Sequence, residues 1–242
     1  MIIDSIEAKF SYGKNPVLNG MSFVVPEGEI TFLAGENGSG KTTWILNAVS
    51  LLGLDGGRIL YDGKTFEEVR PAISVAFDTT PLYPRLSVRD NLRVLYNVDA
   101  SDPAAHRFLN DMGLDDYLIS KHAGKLSYGQ KHRIGIGGAL LRDVPCYILD
   151  EPDLGLDPVA WNVVRQRILE LKENGRTVLI TGQNYPMIQE IATYIIVISG
   201  GRCVFQGDVN SFLAEHCKSE ENRLRNAFEN IVGTECGLGD EK

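Results

Sequence analysis

Cysteine is scarce in this sequence, and its spacing excludes the common metal and redox motifs. The four cysteines are Cys146, Cys203, Cys217 and Cys236. No two of them form a C-x-x-C pair, and a chain of 242 residues is not one of the small secreted scaffolds that depend on disulfides. We therefore expect free thiols in a reducing compartment.

Long hydrophobic runs are missing as well. The longest apolar stretches, such as Tyr194–Ile198, have the length of a strand, whereas a bilayer-crossing helix needs about 20 residues. The segment Met1–Phe10 lacks a basic start followed by an apolar run, so we expect no secretory signal. We expect a chain that does not span a membrane, and any membrane role would depend on a partner.

Basic residues are outnumbered by acidic ones. Lys and Arg total 24, Asp and Glu total 32, and the formal net charge is −8. This balance is a poor electrostatic match to nucleic acid, so we expect no nucleic-acid partner. Hydrophobic residues make up 43% of the chain and charged residues 23%, an ordinary globular mixture. The length suits one large domain, or one domain with an inserted lobe.

Strand-like and helix-like segments alternate along most of the chain, which predicts an α/β fold with a mostly parallel sheet. Between about residues 80 and 140 the apolar spacing becomes helical, so we expect a helical lobe inserted between two parts of the core, at about 1–78 and 141–215. Residues 216–242 are predicted to hold a short helix, Ser219–Val232, and an acidic tail. We expect that helix to pack on the core, with a dimer contact as the alternative.

A glycine-rich segment follows the apolar strand Ile30–Ala34 and precedes an expected helix at Thr42–Leu52. It matches G-x-x-x-x-G-K-[ST], whose glycines let successive backbone N–H groups converge on phosphate oxygens. The helix start adds a positive end, Lys41 adds a charge, and the Thr42 hydroxyl suits Mg²⁺. The expected nucleotide-binding residues are Gly35, Glu36, Asn37, Gly38, Ser39, Gly40, Lys41, Thr42 and Thr43.

Two carboxylates stand at the end of a second apolar strand, predicted at Cys146–Asp150: Asp150 is its last residue and Glu151 follows directly. Ligands of open α/β sheets bind at the carboxyl ends of strands, so we expect Asp150 to hold Mg²⁺, through water. Glu151 points elsewhere and can polarise an attacking water. Taken alone, the pair would be a solvated acidic turn, but the phosphate loop favours the catalytic interpretation.

Several motifs together resemble the ABC ATPases. The segment Leu126-Ser127-Tyr128-Gly129-Gln130 resembles the LSGGQ signature, with Tyr128 in place of the first glycine of the pair. Asp150-Glu151-Pro152, followed by Gly155-Leu156-Asp157-Pro158, resembles the Walker B motif and D-loop. Tyr12 resembles the aromatic residue that stacks on adenine. The resemblance runs from about residue 2 to residue 210 and implies a P-loop NTPase core with an antiparallel β subdomain and an inserted α-helical subdomain.

The resemblance also implies cofactors and partners. Members of this family bind ATP and Mg²⁺ in a head-to-tail dimer, of one chain or of two different chains. In such a dimer Ser127, Gly129 and Gln130 of one chain face the nucleotide of the other. The residues themselves show only a small-residue turn before a helix, and a plain helix cap is the alternative. ATP hydrolysis would power a separate transmembrane permease at the cytoplasmic face of the membrane.

Two positions depart from the family pattern. Asp78 stands where the family has a glutamine that contacts Mg²⁺ and the attacking water, and Gln183 stands where it has a histidine. Asp78 can still bind Mg²⁺, with Thr42 and Asp150, but it adds negative charge near the γ-phosphate. Gln183 can donate a hydrogen bond but cannot become cationic. One hypothesis is that the site binds ATP normally and hydrolyses it slowly, or depends heavily on Glu151; the alternative is that both residues are conservative replacements.

The resemblance leaves three functions open. The run Pro81–Leu92 and the short lobe resemble ABC-2-type exporter motors, which favours export. A soluble ABC clamp of translation or DNA repair is a second possibility, although such relatives usually carry two cassettes or long coiled coils. A regulatory cassette that binds nucleotide and hydrolyses it weakly is the third.

Overall fold

The two β-sheets of the protein differ in strand direction. The computed structural model describes residues 1–219 and 221–237. Its strands are β1 (Ile3–Tyr12), β2 (Asn15–Val25), β3 (Ile30–Gly35), β4 (Gly56–Tyr61), β5 (Ile73–Ala76), β6 (Cys146–Leu149), β7 (Thr177–Ile180), β8 (Tyr194–Ser199) and β9 (Arg202–Asp208). The larger sheet has the order β5-β6-β7-β3-β8-β9 and the smaller one β2-β1-β4.

The larger sheet is parallel except at one edge. Strands β5, β6, β7, β3 and β8 pair in parallel, and β9 is antiparallel to β8. The central strands β3, β6 and β7 are buried along their whole length, which explains why they are apolar runs without alternation. Their carboxyl ends lie at the same edge, where the polar residues that follow them meet.

The helices cover both faces of this sheet. They are α1 (Lys41–Ala48), α2 (Phe66–Val69), α3 (Val88–Tyr96), α4 (Pro103–Asp111), α5 (Asp116–Ser120), α6 (Tyr128–Leu141), α7 (Pro158–Glu173), α8 (Tyr185–Gln189), α9 (Val209–His216) and α10 (Arg223–Gly237). We call α3 to α6 the helical lobe. Phe32 of β3 packs in the core on the lobe side, while Leu33 packs with Trp44 of α1 on the other face. The predicted fold class is confirmed.

The smaller sheet is antiparallel and pairs differently from the sequence prediction. The turn residues within 58–64 predict a hairpin there, but β4 pairs with β1, where Tyr61 lies opposite Ile3. Only a single bridge joins Tyr61 to Lys64. This pairing lets the Tyr61 ring become fully buried while its hydroxyl donates to the Ala48 carbonyl oxygen at 2.7 Å.

Other differences lie at helix ends and near the C-terminus. Helix α1 ends at Ala48 instead of Leu52, because Ser50 adopts a left-handed conformation with a φ of 54°. Strand β9 and helix α9 were not predicted. Helix α10 begins at Arg223 and packs on the core: the rings of Phe228 and Tyr185 lie 5.2 Å apart. The predicted acidic tail beyond residue 237 lies outside the described residues.

None of the described helices combines the length and the apolar character that a bilayer crossing needs.

Candidate functional site

The phosphate loop connects β3 to α1 through left-handed glycines. Gly38 has a φ of 81° and Gly40, which caps α1, a φ of 104°. A side chain avoids these conformations, and a Cβ at Gly40 would lie 3.0 Å from Leu18 Cδ2. The Ser39 N–H donates to the Glu36 carbonyl oxygen at 3.1 Å, which closes the loop. The loop is therefore a curled backbone at the start of a helix, the arrangement that binds anions.

Lys41 lies inside this loop. Its side chain is buried, and Nζ donates to the carbonyl oxygens of Gly35 at 2.6 Å and Glu36 at 3.0 Å. Burial lowers the pKa of Lys41, and the nearby charges of Glu151 and Asp150 oppose that shift. The ammonium group is thus a buried cation directed at the loop.

Ser39 offers a test of whether an anion fits here. Its hydroxyl oxygen is buried and has no hydrogen-bond partner among the described residues. A buried hydroxyl without a partner is costly unless a ligand or water supplies one. The orphaned hydroxyl, the buried Lys41 ammonium and the loop N–H groups together fit a phosphate chain.

Asp150 lies at the carboxyl end of β6, between two hydroxyl groups. Thr42 Oγ1 donates to its Oδ2 at 3.3 Å, and Thr181 Oγ1 donates to its Oδ1 at 2.6 Å. The side chain is only 2% exposed. Burial raises the pKa of Asp150, the Thr181 hydrogen bond opposes this, and the charge of Asp78 raises the pKa further. The two hydroxyl groups therefore hold the Asp150 carboxylate in a fixed orientation beside the phosphate loop.

Glu151 turns away from Asp150 through its backbone. Its φ is 51°, and its N–H donates to the Thr181 hydroxyl at 3.0 Å. A non-glycine residue in the left-handed region persists when its surroundings hold it, and this hydrogen bond does so. Burial, followed by the charges of Asp150 and Asp78, raises the pKa of Glu151. A raised pKa brings a carboxylate closer to the basicity that proton abstraction requires.

The donors at this point suit Mg²⁺ in combination with phosphate. Hydroxyl and carboxylate oxygens, as supplied by Thr42 and Asp150, are the ligands that Mg²⁺ prefers. Within residues 1–219 and 221–237, no group of three or more His, Cys, Asp or Glu is arranged to hold a metal by itself. A magnesium ion here would therefore share its shell with phosphate oxygens and water, as it does in nucleotide sites.

The cleft beside the loop is open and contains Tyr12 and six of the nine predicted loop residues. Its volume is about 320 Å³, and it is lined by Tyr12, Val17, Asn37, Gly38, Gly40, Lys41, Thr42, Thr43 and Glu151. Tyr12, at the end of β1, is half exposed and rests edge-on against Phe10 with 4.9 Å between ring centroids. Its ring is thus free to stack on a planar group.

The signature residues lie outside this cleft, at the start of α6. The Gln130 N–H donates to Ser127 Oγ at 3.2 Å, and the Ser127 N–H donates to the Gln130 side chain at 3.0 Å. The two residues therefore form a capping box, which is the plain helix cap that the sequence offered as the alternative. Gly129 lies beside Gly155, where an added Cβ would sit 3.7 Å from the Gly129 Cα. The described chain does not bring Ser127, Gly129 or Gln130 to its own phosphate loop.

The two unusual positions both have partners within the chain. Gln183 Nε2 donates to Asn37 Oδ1 at 3.1 Å, so Gln183 reaches the phosphate loop. The Tyr128 hydroxyl donates to the Asp78 carboxylate and lies 3.2 Å from the Asp78 carbonyl oxygen. Asp78 is therefore held by the signature segment of its own chain.

Sequence reasoning missed two residues that position the site. Thr181 contacts both Asp150 and Glu151. The sequence feature that could have predicted this role is a polar residue directly after β7, the strand that pairs with β6. Arg133 of α6 donates to the Met112 and Gly155 carbonyl oxygens, at 3.1 and 3.4 Å, and its Nη2 lies 3.6 Å from Asp157 Oδ2. It connects the helical lobe to the segment after Asp150, and no local pattern predicts that contact.

Strand β3 of the parallel sheet leads into an anion-binding loop that contains Lys41. Two carboxylates that follow β6 face this loop. This arrangement defines a P-loop nucleoside triphosphatase. The family model described as "ABC transporter" matches residues 18–154. The chain belongs to the ABC transporter family and is an ATP-hydrolysing motor subunit of that family.

Its relatives include named transport proteins. It is 30% identical over 201 residues to the lantibiotic transport ATP-binding protein SrtF of Streptococcus pyogenes, covering 82% of this chain and 87% of the relative. It is 32% identical over 213 residues to the ABC transporter ATP-binding protein NatA of Bacillus subtilis, covering 83% and 85%. It is 32% identical over 213 residues to the Nod factor export ATP-binding protein I of Burkholderia orbicola, covering 85% and 70%.

Solved structures share the fold. An ATP-binding subunit of an ABC transporter superposes with a TM-score of 0.78 at 25% identity, covering 89% of this chain and 93% of that one. The protein cbiO1 of Clostridium perfringens, part of the complex cbiONQ, superposes with a TM-score of 0.68 at 26% identity, covering 98% and 97%.

Proposed function

We propose that this chain is the motor of an exporter that binds MgATP in the cleft between Tyr12 and the phosphate loop. The observation that carries this proposal is geometric: Lys41, Thr42 and Glu151 line one cleft, and Thr42 donates a hydrogen bond of 3.3 Å to Asp150. Export is supported by relatives whose names specify lantibiotic transport and Nod factor export.

Magnesium would be held by Thr42, Asp150 and Asp78. Thr42 and Asp150 are already in hydrogen-bond contact, and the Asp78 charge acts on Asp150. When bound, Mg²⁺ supplies positive charge to the phosphate oxygens. Thr181 keeps the Asp150 carboxylate oriented while the ligand enters.

Glu151 is the proposed base, and Gln183 the proposed hydrogen-bond donor to the terminal phosphate. Glu151 lines the cleft, and its backbone is anchored by Thr181. Gln183 reaches the loop through Asn37. A positioned carboxylate accepts a proton from the attacking water, and the amide stabilises charge on the phosphate.

The working unit is proposed to be a head-to-tail dimer. Ser127, Gly129 and Gln130 do not line the cleft of their own chain, yet they stand at the first turn of the 14-residue helix α6. Such a turn presents free N–H groups and a positive dipole end. A second motor chain would bring this turn to the nucleotide.

A groove between the helical lobe and the core is the proposed contact with a transmembrane permease at the cytoplasmic face. It has a volume of about 280 Å³, and it is lined by Val49, Leu51, Phe66, Arg70, Ile73, Val75, Phe77, Pro81, Leu95, Tyr96 and Arg142. Leu51 is 61% exposed at this groove. An open apolar groove with two arginines suits a partner helix with apolar and acidic or carbonyl groups.

Leu51→Glu is expected to prevent assembly with the membrane subunit while ATP binding persists. A charge buried in an apolar contact costs several kcal/mol, so recovery of the complex should fall by about tenfold or more. The measurement is detergent pull-down of the tagged chain, co-expressed with the membrane proteins encoded beside it. Val24→Glu, at an exposed position of the small sheet, is the control. A wild-type chain that stays out of the membrane fraction would support the soluble-clamp alternative instead.

Gln183→His is expected to raise the steady-state ATPase rate of the assembled complex by about fivefold, because a charge-assisted hydrogen bond is about 1 kcal/mol stronger than a neutral one. The rate is measured by phosphate release at saturating ATP. The double variant Gln183→His, Glu151→Gln serves as the control and should stay inactive. An unchanged rate in Gln183→His would mean that glutamine is a full replacement, and that this position does not make the chain a weakly hydrolytic cassette.

A further inference from the structure

Asp78 and Tyr128 contact each other, and both depart from the family pattern. Asp78 replaces the glutamine that contacts Mg²⁺, and Tyr128 replaces a glycine of the signature. Asp78 follows β5, and Tyr128 is the first residue of α6, 50 positions later. The Tyr128 hydroxyl donates to Asp78 Oδ1 and lies 3.2 Å from the Asp78 carbonyl oxygen. A glycine at position 128 has no side chain to make this contact. The pair therefore joins the helical lobe to the edge of the central sheet.

Asp78 creates an electrostatic problem for a nucleotide site. Its charge raises the pKa of both Asp150 and Glu151. A triphosphate brings further negative charge into the same cleft, and like charges in a partly buried site repel strongly. A glutamine at position 78 would not add this charge. The chain therefore needs something that directs the Asp78 carboxylate.

Tyr128 is oriented to do this. Its ring stacks on the buried ring of His132, one turn further along α6, with 6.5 Å between centroids and 11° between planes. The ring is about half exposed, so its own burial contributes little to holding the fold. The stacking limits the ring to one side of the helix, and the hydroxyl is thereby presented to Asp78.

We propose that Tyr128 is a positioning residue for Asp78: its hydroxyl draws the carboxylate toward α6, so that the added charge does not oppose the terminal phosphate of ATP. This inference rests on the proposed function, in which the cleft binds MgATP. Tyr128 engages Oδ1, which leaves Oδ2 as the oxygen available to magnesium. Tyr128 then compensates for the negative charge that Asp78 adds to the site.

The test is a double-mutant cycle on nucleotide affinity, measured by titration calorimetry of the full chain with MgATP and MgADP. Tyr128→Phe should weaken MgATP binding about tenfold, because the released Asp78 carboxylate can turn toward the terminal phosphate and repel it. The loss for MgADP should be smaller, since ADP lacks the terminal phosphate. In an Asp78→Asn background Tyr128→Phe should have no further effect. Tyr117→Phe, at another exposed tyrosine of the lobe, is the control and should bind as the wild type does.

A second pair of variants keeps the test decisive if Tyr128→Phe is damaged in folding, which thermal melting of the free chain would reveal. Tyr128→Gly should weaken MgATP binding, and the double variant Tyr128→Gly, Asp78→Gln should restore it. Equal losses from Tyr128→Phe in the wild-type and Asp78→Asn backgrounds, or no rescue by the double variant, would overturn the pairing. Absence of MgATP binding in the wild-type chain would instead refute the proposed function.

Discussion

Lys41→Ala is expected to abolish nucleotide binding at millimolar ATP while the fold persists. The Lys41 ammonium is buried and is held only by two loop carbonyl oxygens, Gly35 and Glu36, in the described structure. A bound phosphate would add negatively charged oxygens to the contacts of this ammonium group. Truncating one partner of a buried, hydrogen-bonded charge pair costs about 2–5 kcal/mol, so affinity should fall by about 100-fold or more.

The measurement is the rise in melting temperature that ATP and Mg²⁺ cause, since a ligand that binds only the native state stabilises it by an amount that grows with the logarithm of its concentration relative to Kd. The wild-type chain should show this rise, and Lys41→Ala should show none. Lys64→Ala, in an exposed turn beyond β4, is the matched control and should behave as the wild type does. Retention of the ATP-induced rise by Lys41→Ala would show that the nucleotide binds somewhere else.

Glu151→Gln is expected to remove hydrolysis and to retain ATP binding. The amide has the shape of the carboxylate, and the anchor of this residue is its backbone N–H on Thr181, which the substitution leaves intact. What is lost is a proton acceptor whose pKa is raised by burial and by neighbouring carboxylates. General-base catalysis contributes about 10²–10⁴-fold, so the turnover rate should fall by that factor.

Single-turnover formation of phosphate by the assembled complex, measured after an acid quench, reports this step apart from product release. The variant should also bind MgATP at least as tightly as the wild type, because one negative charge near the phosphates has been removed. Glu173→Gln, at the exposed end of α7, is the control. An unchanged single-turnover rate of phosphate formation in Glu151→Gln would mean that another group activates the water.

Much of this architecture follows from local patterns. The phosphate loop could be read from its glycines and Lys41, because only a narrow set of residues lets the backbone curl around an anion. The strands β3, β6 and β7 could be read as buried parallel strands, because each is an apolar run bounded by turns. The sequence prediction for helix α1 runs past its end at Ala48, because a left-handed Ser50 leaves no strong mark in sequence.

The contacts that arrange the site were harder to predict. Thr181 acts on Asp150 only because β6 and β7 pair in parallel and end together. Arg133 contacts the segment after Asp150, and no periodic sequence pattern predicts a contact between these two parts of the chain. The pairing of Tyr128 with Asp78 likewise joins two positions that stand as separate departures in the sequence.

The sequence by itself determined that a nucleotide loop precedes a helix, that two carboxylates end a buried strand, and that a helical segment interrupts an α/β core. These are short-range features, set by backbone geometry and by the burial of neighbouring residues. The tertiary structure alone decided how Asp78 and Gln183 are held, and that the signature lies away from the cleft of its own chain. Such relations depend on how the helical lobe packs against the sheet, which brings together side chains that are far apart along the chain.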